Sequence, residues 1–295
     1  MTAFNFKYTD CPICNMATKP WRTIQNEYGK YTITICNGCH YAFVNPRPTL
    51  ELIQNIYSTT DILDNIDPES LLENEKSHPN STIDSERVIS NTLKLSDKAD
   101  LSLLDVGCGH GFMVKTAIEK GLDVTSLEIS EPDSRIAERV SGIKPIITTF
   151  ENYNQEPRLF DVIILSQILE HAYDVNVWAQ KAFGLLNSNG LICIALPNFD
   201  NVFRYLLQEK EPYITPPIHL NYFNKRNLSL LLENHGFEII KTDYVSRLPV
   251  DTFSKKLPKK IMFLAVPTVK TVNRLLKIID YMGLGIMLNV YARKK

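Results

Sequence analysis

The chain has 295 residues, of which 44% are apolar and 22% are charged, and this composition predicts a folded protein with a sizeable core. Its 32 basic and 33 acidic residues leave a formal net charge of −1, so no global field favours nucleic acid or an anionic membrane. No apolar run approaches the ~20 residues that a membrane-spanning helix needs, and residues 1–20 lack a secretory-signal pattern. We therefore expect a cytoplasmic protein without a membrane span.

The amino-terminal segment contains four of the six cysteines, arranged as two Cys-x-x-Cys pairs. The first pair is Cys11 and Cys14, and the second is Cys36 and Cys39. Each pair can form a knuckle that offers two thiolates, and four thiolates complete the tetrahedral shell of a structural zinc. Two disulfides are the alternative, but they need an oxidising compartment. His40 directly follows the second pair, and we interpret it as a neighbour of the metal and not as a ligand.

Secondary structure is predicted around and after these cysteines. Two strands that flank Tyr28-Gly29-Lys30 predict a β-hairpin that carries both knuckles. Prolines at positions 46 and 48 end the strand after the second knuckle. Thr49 is a plausible cap for a helix over residues 50–57, whose apolar positions share one face. Residues 58–82 are polar and predict a loop or lid, followed by a short helix over residues 83–93.

A strand, a glycine-rich turn and a helix are predicted over residues 103–120. The turn is Gly107-Cys108-Gly109-His110-Gly111, and Asp105 lies two residues before it. Glycine adopts backbone conformations that are closed to other residues, and it lets a ligand approach closely. The amide groups at the start of the helix then face that ligand. A second strand ends at Glu128, where doubly wound folds place an acidic residue that accepts hydrogen bonds from ribose hydroxyls.

The glycine spacing distinguishes between cofactors. It is Gly-x-Gly-x-Gly, whereas nicotinamide enzymes use Gly-x-Gly-x-x-Gly to hold a pyrophosphate. An amino-acid tail with a sulfonium needs only a loop backbone and a nearby carboxylate. The stretch Leu-Asp-Val-Gly-Cys-Gly-x-Gly at residues 104–111 resembles the first motif of class I S-adenosylmethionine-dependent methyltransferases. This resemblance implies an α/β fold with a Rossmann-like, doubly wound, seven-stranded sheet. An ordinary strand-to-helix turn is the alternative, and three alternate glycines argue against it.

The central segment supplies further candidates for the cofactor site. An apolar run over residues 160–165 is typical of a strand buried on both faces. Open parallel sheets bind ligands beyond the carboxyl ends of their strands, so Ser166 and Gln167 are expected to border the cofactor. The family resemblance implies that Phe150 and Glu151, after the third strand at residues 144–147, lie beside the adenine. The expected cofactor-binding residues are Asp105, Gly107, Cys108, Gly109, Gly111, Glu128, Ile129, Phe150, Glu151, Ser166 and Gln167.

The remaining elements complete the predicted sheet. A helix over residues 178–186 is expected to stop at the polar stretch 187–190, and a fifth strand follows over residues 191–198. Residues 237–244 and 286–292 predict the sixth and seventh strands, an antiparallel hairpin that closes the sheet in this family. Residues 257–282 mix basic and apolar side chains. We interpret them as a helical cover or a dimer surface, with peripheral membrane contact as the alternative.

Candidate catalytic residues follow the fourth and fifth strands. A loop over residues 211–223 is held non-helical by its prolines and carries His219 and Tyr222. A neutral imidazole accepts protons well near pH 7, so His219 is the candidate general base, with Tyr222 holding it or the substrate. The alternative is a histidine that only holds the loop. The Leu-Glu-His triplet at residues 169–171 recurs in family members with many different acceptors, so we interpret Glu170 and His171 as positioning residues.

A subgroup of the family resembles the chain more closely. The two knuckles, the segment Phe-Val-Asn-Pro-Arg-Pro at residues 43–48 and a helix ending in Tyr57 are similar to zinc-ribbon methyltransferases, which include C-methyltransferases of nucleotide-linked keto-deoxysugars. The resemblance implies methyl transfer to a nucleotide-linked sugar or another polyol, with Tyr57 over the substrate. A buried aromatic is the alternative for Tyr57. Members that methylate sugar carbon often show Glu-His where this chain has Ile218-His219, which leaves O-methylation open.

Two other functions and a domain organisation complete the predictions. An RNA-modifying methyltransferase would grip nucleic acid with a basic ribbon, but Lys7, Lys19, Arg22 and Lys30 are few and scattered. A binding protein without catalysis is the second alternative. The predicted segments are a zinc ribbon (1–48), a helical linker and lid (49–98), a cofactor-binding Rossmann-like core (99–245) and a helical insertion with the final strand (246–295). We expect a small-molecule substrate and leave a homodimer open.

Overall fold

The computed structural model describes residues 7–59, 67–77, 79–98, 100–154, 158–247 and 265–295, and they form two β-sheets with helices around them. The strands are β1 (Thr18–Asn26), β2 (Gly29–Cys36), β3 (Ala42–Val44), β4 (Ser102–Val106), β5 (Asp123–Glu128), β6 (Ile146–Ile147), β7 (Phe160–Ser166), β8 (Leu186–Pro197), β9 (Asn221–Tyr222), β10 (Phe237–Val245) and β11 (Met287–Lys294). The helices are α1 (Leu50–Thr59), α2 (Pro68–Ser77), α3 (Asn80–Leu95), α4 (Phe112–Glu119), α5 (Glu131–Ser141), α6 (Val175–Leu185), α7 (Val202–Leu207), α8 (Lys225–Asn234) and α9 (Ala265–Tyr281). Short 3-10 turns occur at Leu169–His171 and Gln208–Lys210.

The larger sheet has seven strands in the order β10-β11-β8-β7-β4-β5-β6. Strands β4 to β8 run parallel, and β11 is antiparallel to both β8 and β10. Alternate residues of β4 face two apolar layers, so that Leu104 packs in one and Leu103 in the other. The predicted Rossmann-like α/β fold is confirmed. Its topology brings the carboxyl ends of β4, β7 and β8 together at one edge, where a ligand site is expected.

The smaller sheet is antiparallel, with strand order β1-β2-β3-β9. Strands β1 to β3 belong to the predicted amino-terminal ribbon, and β1 and β2 form the expected hairpin. Strand β9 comes from the loop that carries His219, and it pairs with β3 through Ala42 opposite Tyr222. One apolar cluster also runs from Tyr41 of the ribbon to the residues of the larger sheet. The ribbon and the core therefore share both a sheet and a hydrophobic layer.

Helices replace much of the loop that the sequence predicted before residue 83. Residues 68–77 form α2, and α3 begins at Asn80. The start of α2 has a local cause, because the Asp67 carboxylate accepts a hydrogen bond of 3.0 Å from the Ser70 amide and Pro68 occupies the first helical position. Leu71 and Leu72 pack against α4 and α5. The loop prediction was wrong here because a polar composition concealed a capped helix.

The start of β8 also differs from the prediction. Helix α6 ends at Leu185, and β8 begins directly at Leu186, so the polar stretch 187–190 lies inside the strand. The register between β7 and β8 shifts between Phe160 and Val162, and Asn189 has a φ of 63°. Asparagine tolerates this left-handed conformation, so the polar stretch forms an irregularity in the strand and not a separate loop.

The carboxyl-terminal helix α9 covers β10. Val269 and Leu276 are buried, whereas Leu275, Ile278 and Tyr281 are exposed. Part of the predicted insertion, residues 257–264, lies outside the described residues. The packing of α9 on β10 is consistent with the interpretation of the insertion as a helical cover. Its alternative role as a dimer surface stays a prediction. Among the described helices, none is long and apolar enough to span a bilayer.

Candidate active site

The glycine-rich turn connects β4 to α4 in the conformation that its sequence predicts. Gly109 and Gly111 have φ values of 50° and 80°, in the left-handed region that favours glycine. A Cβ at Gly111 would lie 2.9 Å from the Cα of Ala137, whereas a Cβ at Gly109 would meet nothing within 4 Å. Gly111 therefore permits close packing of α4 against α5, and Gly109 borders open space that a ligand can enter.

Glu128 holds the same turn from β5. Its Oε2 accepts a hydrogen bond of 2.9 Å from the Gly109 amide, and its Oε1 accepts bonds of 2.8 and 3.0 Å from the amides of Ile129 and Ser130. A carboxylate offers about four acceptor positions, so capacity remains for one hydroxyl of a ribose. The Ile129 side chain beside it is 47% exposed. Glu128 therefore supports the turn, and its contact with a ribose stays a prediction.

Asp105 is a buried carboxylate at the end of β4. It is 1% exposed, and its Oδ2 has no hydrogen-bond partner among the described residues. Burial, together with the nearby charge of Glu128, raises its pKa to about 7. A buried carboxylate oxygen without a partner fits a cationic ligand group. The ammonium of the amino-acid tail of S-adenosylmethionine is such a group.

A cavity of about 610 Å³ lies beyond the carboxyl ends of β4, β7 and β8. This volume is within the usual range for small-molecule sites. The glycine turn and Asp105 form one end, and Cys108 lies in the same wall. Ser166 and Gln167 also border the cavity, as the sequence predicts. The side of α3 that faces the turn completes the enclosure.

Phe150 and Glu151 do not line this cavity. Phe150 is 3% exposed, and its ring meets that of Trp178 at a centroid distance of 5.1 Å. The indole N–H of Trp178 donates a hydrogen bond of 2.6 Å to Glu151 Oε1. Their predicted position beside the adenine stays a prediction, and the geometry assigns both residues a packing role at the end of β6.

A second cluster contains Glu170, His171 and His219, whose potential ligand atoms lie within 4.8 Å of one another. His171 Nδ1 donates to the Ile218 carbonyl at 2.9 Å, and His219 Nδ1 donates to the Tyr213 carbonyl at 2.7 Å. Because a carbonyl can only accept, each Nδ1 carries the proton. The Nε2 atom of a neutral imidazole is then the proton acceptor, which is the arrangement that a general base requires.

Burial sets the protonation of this cluster. It lowers the pKa of His219, and it lowers that of His171 to about 4 with a further contribution from His219. Burial also raises the pKa of Glu170 to about 8, and Glu170 Oε2 has no partner among the described residues. At neutral pH both imidazoles are neutral, and Glu170 favours its protonated form. Glu170 and His219 border a small cavity of about 10 Å³, and Tyr213 borders both this cavity and the larger one.

Residues around His219 fix its loop. The Tyr222 hydroxyl donates a hydrogen bond of 3.0 Å to the His219 carbonyl. The Asn221 amide donates to the Ala172 carbonyl at 2.7 Å, and its oxygen accepts bonds from Tyr41 at 2.5 Å and from the buried Arg47 at 2.6 Å. These bonds connect the loop to the 3-10 turn at residues 169–171 and to the ribbon. Another candidate, Tyr57, belongs to α1, but its side chain lies outside the described residues.

The four ribbon cysteines converge as their spacing predicts. Cys11 Sγ lies 3.6 Å from Cys39 Sγ, Cys14 Sγ lies 3.4 Å from Cys36 Sγ, and all four sulfurs are within 4.8 Å of one another. None of the four forms a disulfide. Tetrahedral coordination with Zn–S bonds of ~2.3 Å places sulfurs ~3.8 Å apart, so the donor set fits a zinc ion. His40 is exposed and lies outside this cluster.

Sequence reasoning missed several residues that the fold brings to these sites. Asn289 of β11 and Arg87 of α3 border the large cavity, together with Arg247 after β10. Tyr213 separates the two cavities, and Arg47 reaches Asn221. The residues come from elements that are distant in sequence, and only Arg47 lies in a motif, the Phe-Val-Asn-Pro-Arg-Pro segment at residues 43–48. The only signals in the sequence are a polar residue inside an apolar strand, for Asn289, and an arginine between two prolines, for Arg47.

Curated proteins with related sequences include several ubiquinone biosynthesis O-methyltransferases. The chain is 25% identical over 174 residues to that of Pelagibacter ubique, and this covers 52% of the chain and 72% of the relative. It is 28% identical over 112 residues to that of Rickettsia felis, covering 36% of the chain and 46% of the relative. It is 27% identical over 164 residues to that of Colwellia psychrerythraea, covering 51% of the chain and 66% of the relative. The chain thus spans only part of the length of these relatives.

Solved structures and a family model match a large part of the chain. The plantazolicin methyltransferase BpumL, in complex with SAH, matches with a TM-score of 0.53 and 20% identity over 82% of the chain and 93% of that protein. A SAM-dependent methyltransferase from Archaeoglobus fulgidus matches with a TM-score of 0.52 and 15% identity. This match covers 76% of the chain and 99% of that protein. At these identities the structures show a common fold. Residues 81–242, more than half of the chain, match the family model described as a methyltransferase domain, so the chain belongs to that family and is an S-adenosylmethionine-dependent methyltransferase.

Proposed function

We propose that the enzyme methylates a nucleotide-linked sugar or another small polyol, with His219 as the general base. The observation that carries this proposal is the tautomer of His219, whose Nδ1 is bound to the Tyr213 carbonyl at 2.7 Å, so that Nε2 can accept a proton. The residue lies on the loop beyond β8, one side chain away from the cavity that Asp105 and Gly109 border. An acceptor that reaches past Tyr213 would meet both the base and the methyl donor.

In the proposed reaction the protein aligns the acceptor with the methyl group and removes one proton from the acceptor. S-adenosylmethionine supplies a methyl group on a sulfonium, which is itself a good leaving group. Transfer of the methyl group to an acceptor hydroxyl would release S-adenosylhomocysteine and one proton, which His219 would accept, and the product would be a methyl ether. Tyr222 holds the His219 backbone, and His171 packs against the imidazole ring. We therefore assign Tyr222 and His171 to positioning.

Oxygen is the first acceptor atom to test. The curated relatives are named as O-methyltransferases, and Ile218 replaces the acidic residue that precedes the histidine in many sugar C-methyltransferases. An isoleucine at this position supplies no second carboxylate for enolisation of a ketone. Glu170 lies close to His219 but favours its protonated form at neutral pH.

We also propose that Cys11, Cys14, Cys36 and Cys39 bind one structural zinc. The proposal is supported by the convergence of the four sulfurs and by two amide hydrogen bonds to Cys36 Sγ, from Gly38 at 3.2 Å and Cys39 at 3.4 Å. Four protein thiolates leave no open coordination position, so the ion would stabilise the ribbon and take no part in the reaction.

The RNA-modifying alternative receives less support from the ribbon. Arg22, one of its few cations, forms an ion pair of 3.1 Å with Glu209, and its guanidinium lies over the ring of Trp21. The Trp21 ring in turn packs against Phe199. One cation and one aromatic that could face nucleic acid are therefore already engaged within the protein.

A substrate screen tests the proposed function directly. Purified enzyme and S-adenosylmethionine are incubated with a panel of nucleotide sugars, free polyols, phenols and short RNAs, and release of S-adenosylhomocysteine is measured. Turnover with a nucleotide sugar or polyol is expected, and NMR of the product identifies the methylated atom. An Asp105→Asn variant controls for cofactor-dependent background. Turnover confined to phenols or RNA would overturn the proposed acceptor class while leaving the methyltransferase assignment intact.

A further inference from the structure

The end of the large cavity opposite the glycine turn contains an unusual asparagine. Asn289 is 0% exposed, and neither Nδ2 nor Oδ1 of its side chain has a hydrogen-bond partner among the described residues. Buried polar groups in folded proteins are almost always hydrogen-bonded, because an unpaired group loses its bonds to water without replacement. A carboxamide that is unpaired at both atoms and borders a cavity is therefore a candidate ligand contact.

The register of β11 explains why Asn289 faces the cavity. Its neighbours Leu288 and Val290 pack into the apolar layer on one face of the sheet, whereas Tyr291 packs on the opposite face with α3. Asn289 shares the face of Tyr291, one step closer to the edge where β4, β7 and β8 end. Its partner in β8 is Ala195, whose small side chain also lines the cavity and leaves space beside the carboxamide.

Two arginines border the same cavity. Arg87 of α3 donates a hydrogen bond of 3.0 Å to Asp84, and the Arg247 guanidinium lies 3.6 Å from the other oxygen of Asp84. Arg247 also donates to the Asn80 carbonyl at 2.9 Å. One carboxylate thus faces two guanidinium groups, which leaves a local excess of one positive charge. Arg87 Nε is buried and has no partner among the described residues.

We propose that Arg87, Arg247 and Asn289 form an anion subsite that binds a phosphate or carboxylate group inside the cavity. A guanidinium presents planar donors that match both groups, and the Asn289 amide adds a neutral donor. The anion could come from two sources, the carboxylate of the S-adenosylmethionine tail or an acidic group of the acceptor. The second source rests on the proposed function, because it requires the acceptor to occupy this cavity.

Calorimetric binding of three probes distinguishes the sources without turnover. The probes are S-adenosylhomocysteine, 5′-methylthioadenosine, which lacks the amino-acid tail, and inorganic pyrophosphate. Arg247→Gln should weaken the binding of one anionic probe at least tenfold and leave methylthioadenosine unchanged. Loss confined to S-adenosylhomocysteine assigns the subsite to the cofactor, and loss confined to pyrophosphate assigns it to the acceptor. Arg226→Gln is the matched control, because Arg226 is an exposed arginine on α8 outside the cavity.

Asn289→Leu tests the carboxamide separately. Leucine has a similar volume and removes two unpaired polar atoms, so the thermal midpoint of the free protein should hold or rise while binding of the anionic probe weakens about tenfold. If Asn289→Leu does not fold, Asn289→Asp keeps the shape and places a negative charge opposite the anion, which should weaken binding further. The proposal is overturned if Arg247→Gln and the folded Asn289 variant bind all three probes as the parent does. These experiments need no acceptor, so failure of the sugar screen would not affect them.

Discussion

The imidazole rings of His171 and His219 meet edge to face with their centroids 4.8 Å apart. Each ring donates a hydrogen bond from Nδ1 to a backbone carbonyl, and burial lowers the pKa of both imidazoles. A proton on His219 also disfavours a second proton on His171, because the two like charges would lie close together with little water between them. The pair can therefore take up one proton more easily than two, which is the capacity that a single deprotonation requires.

Replacement of His219 tests its role as the base. We expect His219→Asn to lower turnover by ~10²–10⁴-fold and to leave S-adenosylmethionine affinity nearly unchanged, which is the usual contribution of positioned proton transfer. Steady-state kinetics with an accepted substrate and calorimetry with the cofactor measure the two quantities. His235→Asn is a matched control, because His235 Nδ1 also binds a carbonyl, that of Leu231 at 2.8 Å, but lies at the end of α8. Turnover within a few-fold of the parent would assign His219 to loop architecture.

The pH dependence of turnover provides a separate test of the same group. A base must be neutral, and burial lowers the pKa of His219 from its ordinary value of 6.5. With S-adenosylmethionine at saturation, the rate should therefore fall on acidification at a lower pH than it would for an imidazole with the ordinary pKa. The acid limb should disappear in His219→Asn. A parent rate that already falls on acidification from pH 8 to 7 would contradict the low pKa of the base.

Asp105 should make cofactor binding depend on pH. Its pKa is about 7 in the free protein, and the cationic cofactor prefers the ionised carboxylate, so affinity should weaken as the pH falls below about 7. Asp105→Asn should weaken binding by ~10–100-fold at pH 8, the usual scale for a hydrogen bond to a charged group, and should remove the pH dependence. Calorimetry at several pH values measures both effects, and equal pH profiles in parent and variant would refute this role.

Stability should respond to Asp105 in the opposite direction. The folded-state pKa of about 7 lies above the unfolded value near 4, so the folded protein binds the extra proton between these pH values. The free energy of unfolding of the cofactor-free protein should then decrease as the pH rises from 4 to 7. Asp105→Asn should reduce that slope, which denaturant unfolding at several pH values can measure.

Two glycines of one turn should separate folding from binding. Gly111→Ala would place a Cβ 2.9 Å from the Ala137 backbone, so we expect a loss of ~1–3 kcal/mol in the free energy of unfolding from overpacking, in addition to backbone strain. Gly109→Ala meets no atom within 4 Å and should cost only the ~1–2 kcal/mol of a left-handed alanine, but its methyl group enters the ligand space. Thermal unfolding should show the larger loss of stability for Gly111→Ala. Cofactor titration should show that Gly109→Ala loses more affinity relative to its loss of stability. The reverse order would contradict the assignment.

The ribbon should contain one zinc ion and no disulfide. Elemental analysis of protein purified without chelator should find one zinc per chain, and Cys36→Ala should lose it. Cys193→Ala is the control, because Cys193 is buried in the core sheet away from the other thiols and its loss should leave zinc content unchanged. Denatured, chelated protein should titrate all six cysteines as free thiols. Two free thiols and no zinc would support the disulfide alternative.

Features with a local cause could be predicted from the sequence. The apolar runs of β4 and β7, the three glycines and the two cysteine pairs each depend on neighbouring residues, and the structure places them as expected. The α2 helix was missed although Asp67 and Pro68 form its start, because polar residues cover its exposed face. Residues 187–190 lie inside β8 between Leu186 and Leu191, which pair with Phe160 and Val162 of β7, and no local pattern reveals these pairings.

The candidate site could be predicted only where a motif marks it. Gly109, Asp105 and Glu128 lie in one βαβ unit, so their proximity follows from the topology. The contact between His171 and His219, by contrast, depends on how the loop after β8 returns to the 3-10 turn. Asn289 borders the cavity because of the register of an antiparallel strand near the end of the chain. Such positions are set by tertiary pairing, and the only signal in the sequence for Asn289 is a polar residue inside an apolar strand.

Strand β9 has a consequence for the order in which the site matures. Its two residues join the ribbon sheet, and the hydrogen bond from Tyr41 to Asn221 connects positions 180 residues apart. Contacts this distant close a long loop at an entropic cost and form late in folding, whereas the glycine turn and Glu128 are only 19 residues apart. The contact between the glycine turn and Glu128 can thus form before the His219 loop is fixed. The two halves of the site would then mature separately, the motif-bearing turn first and the candidate catalytic loop after it.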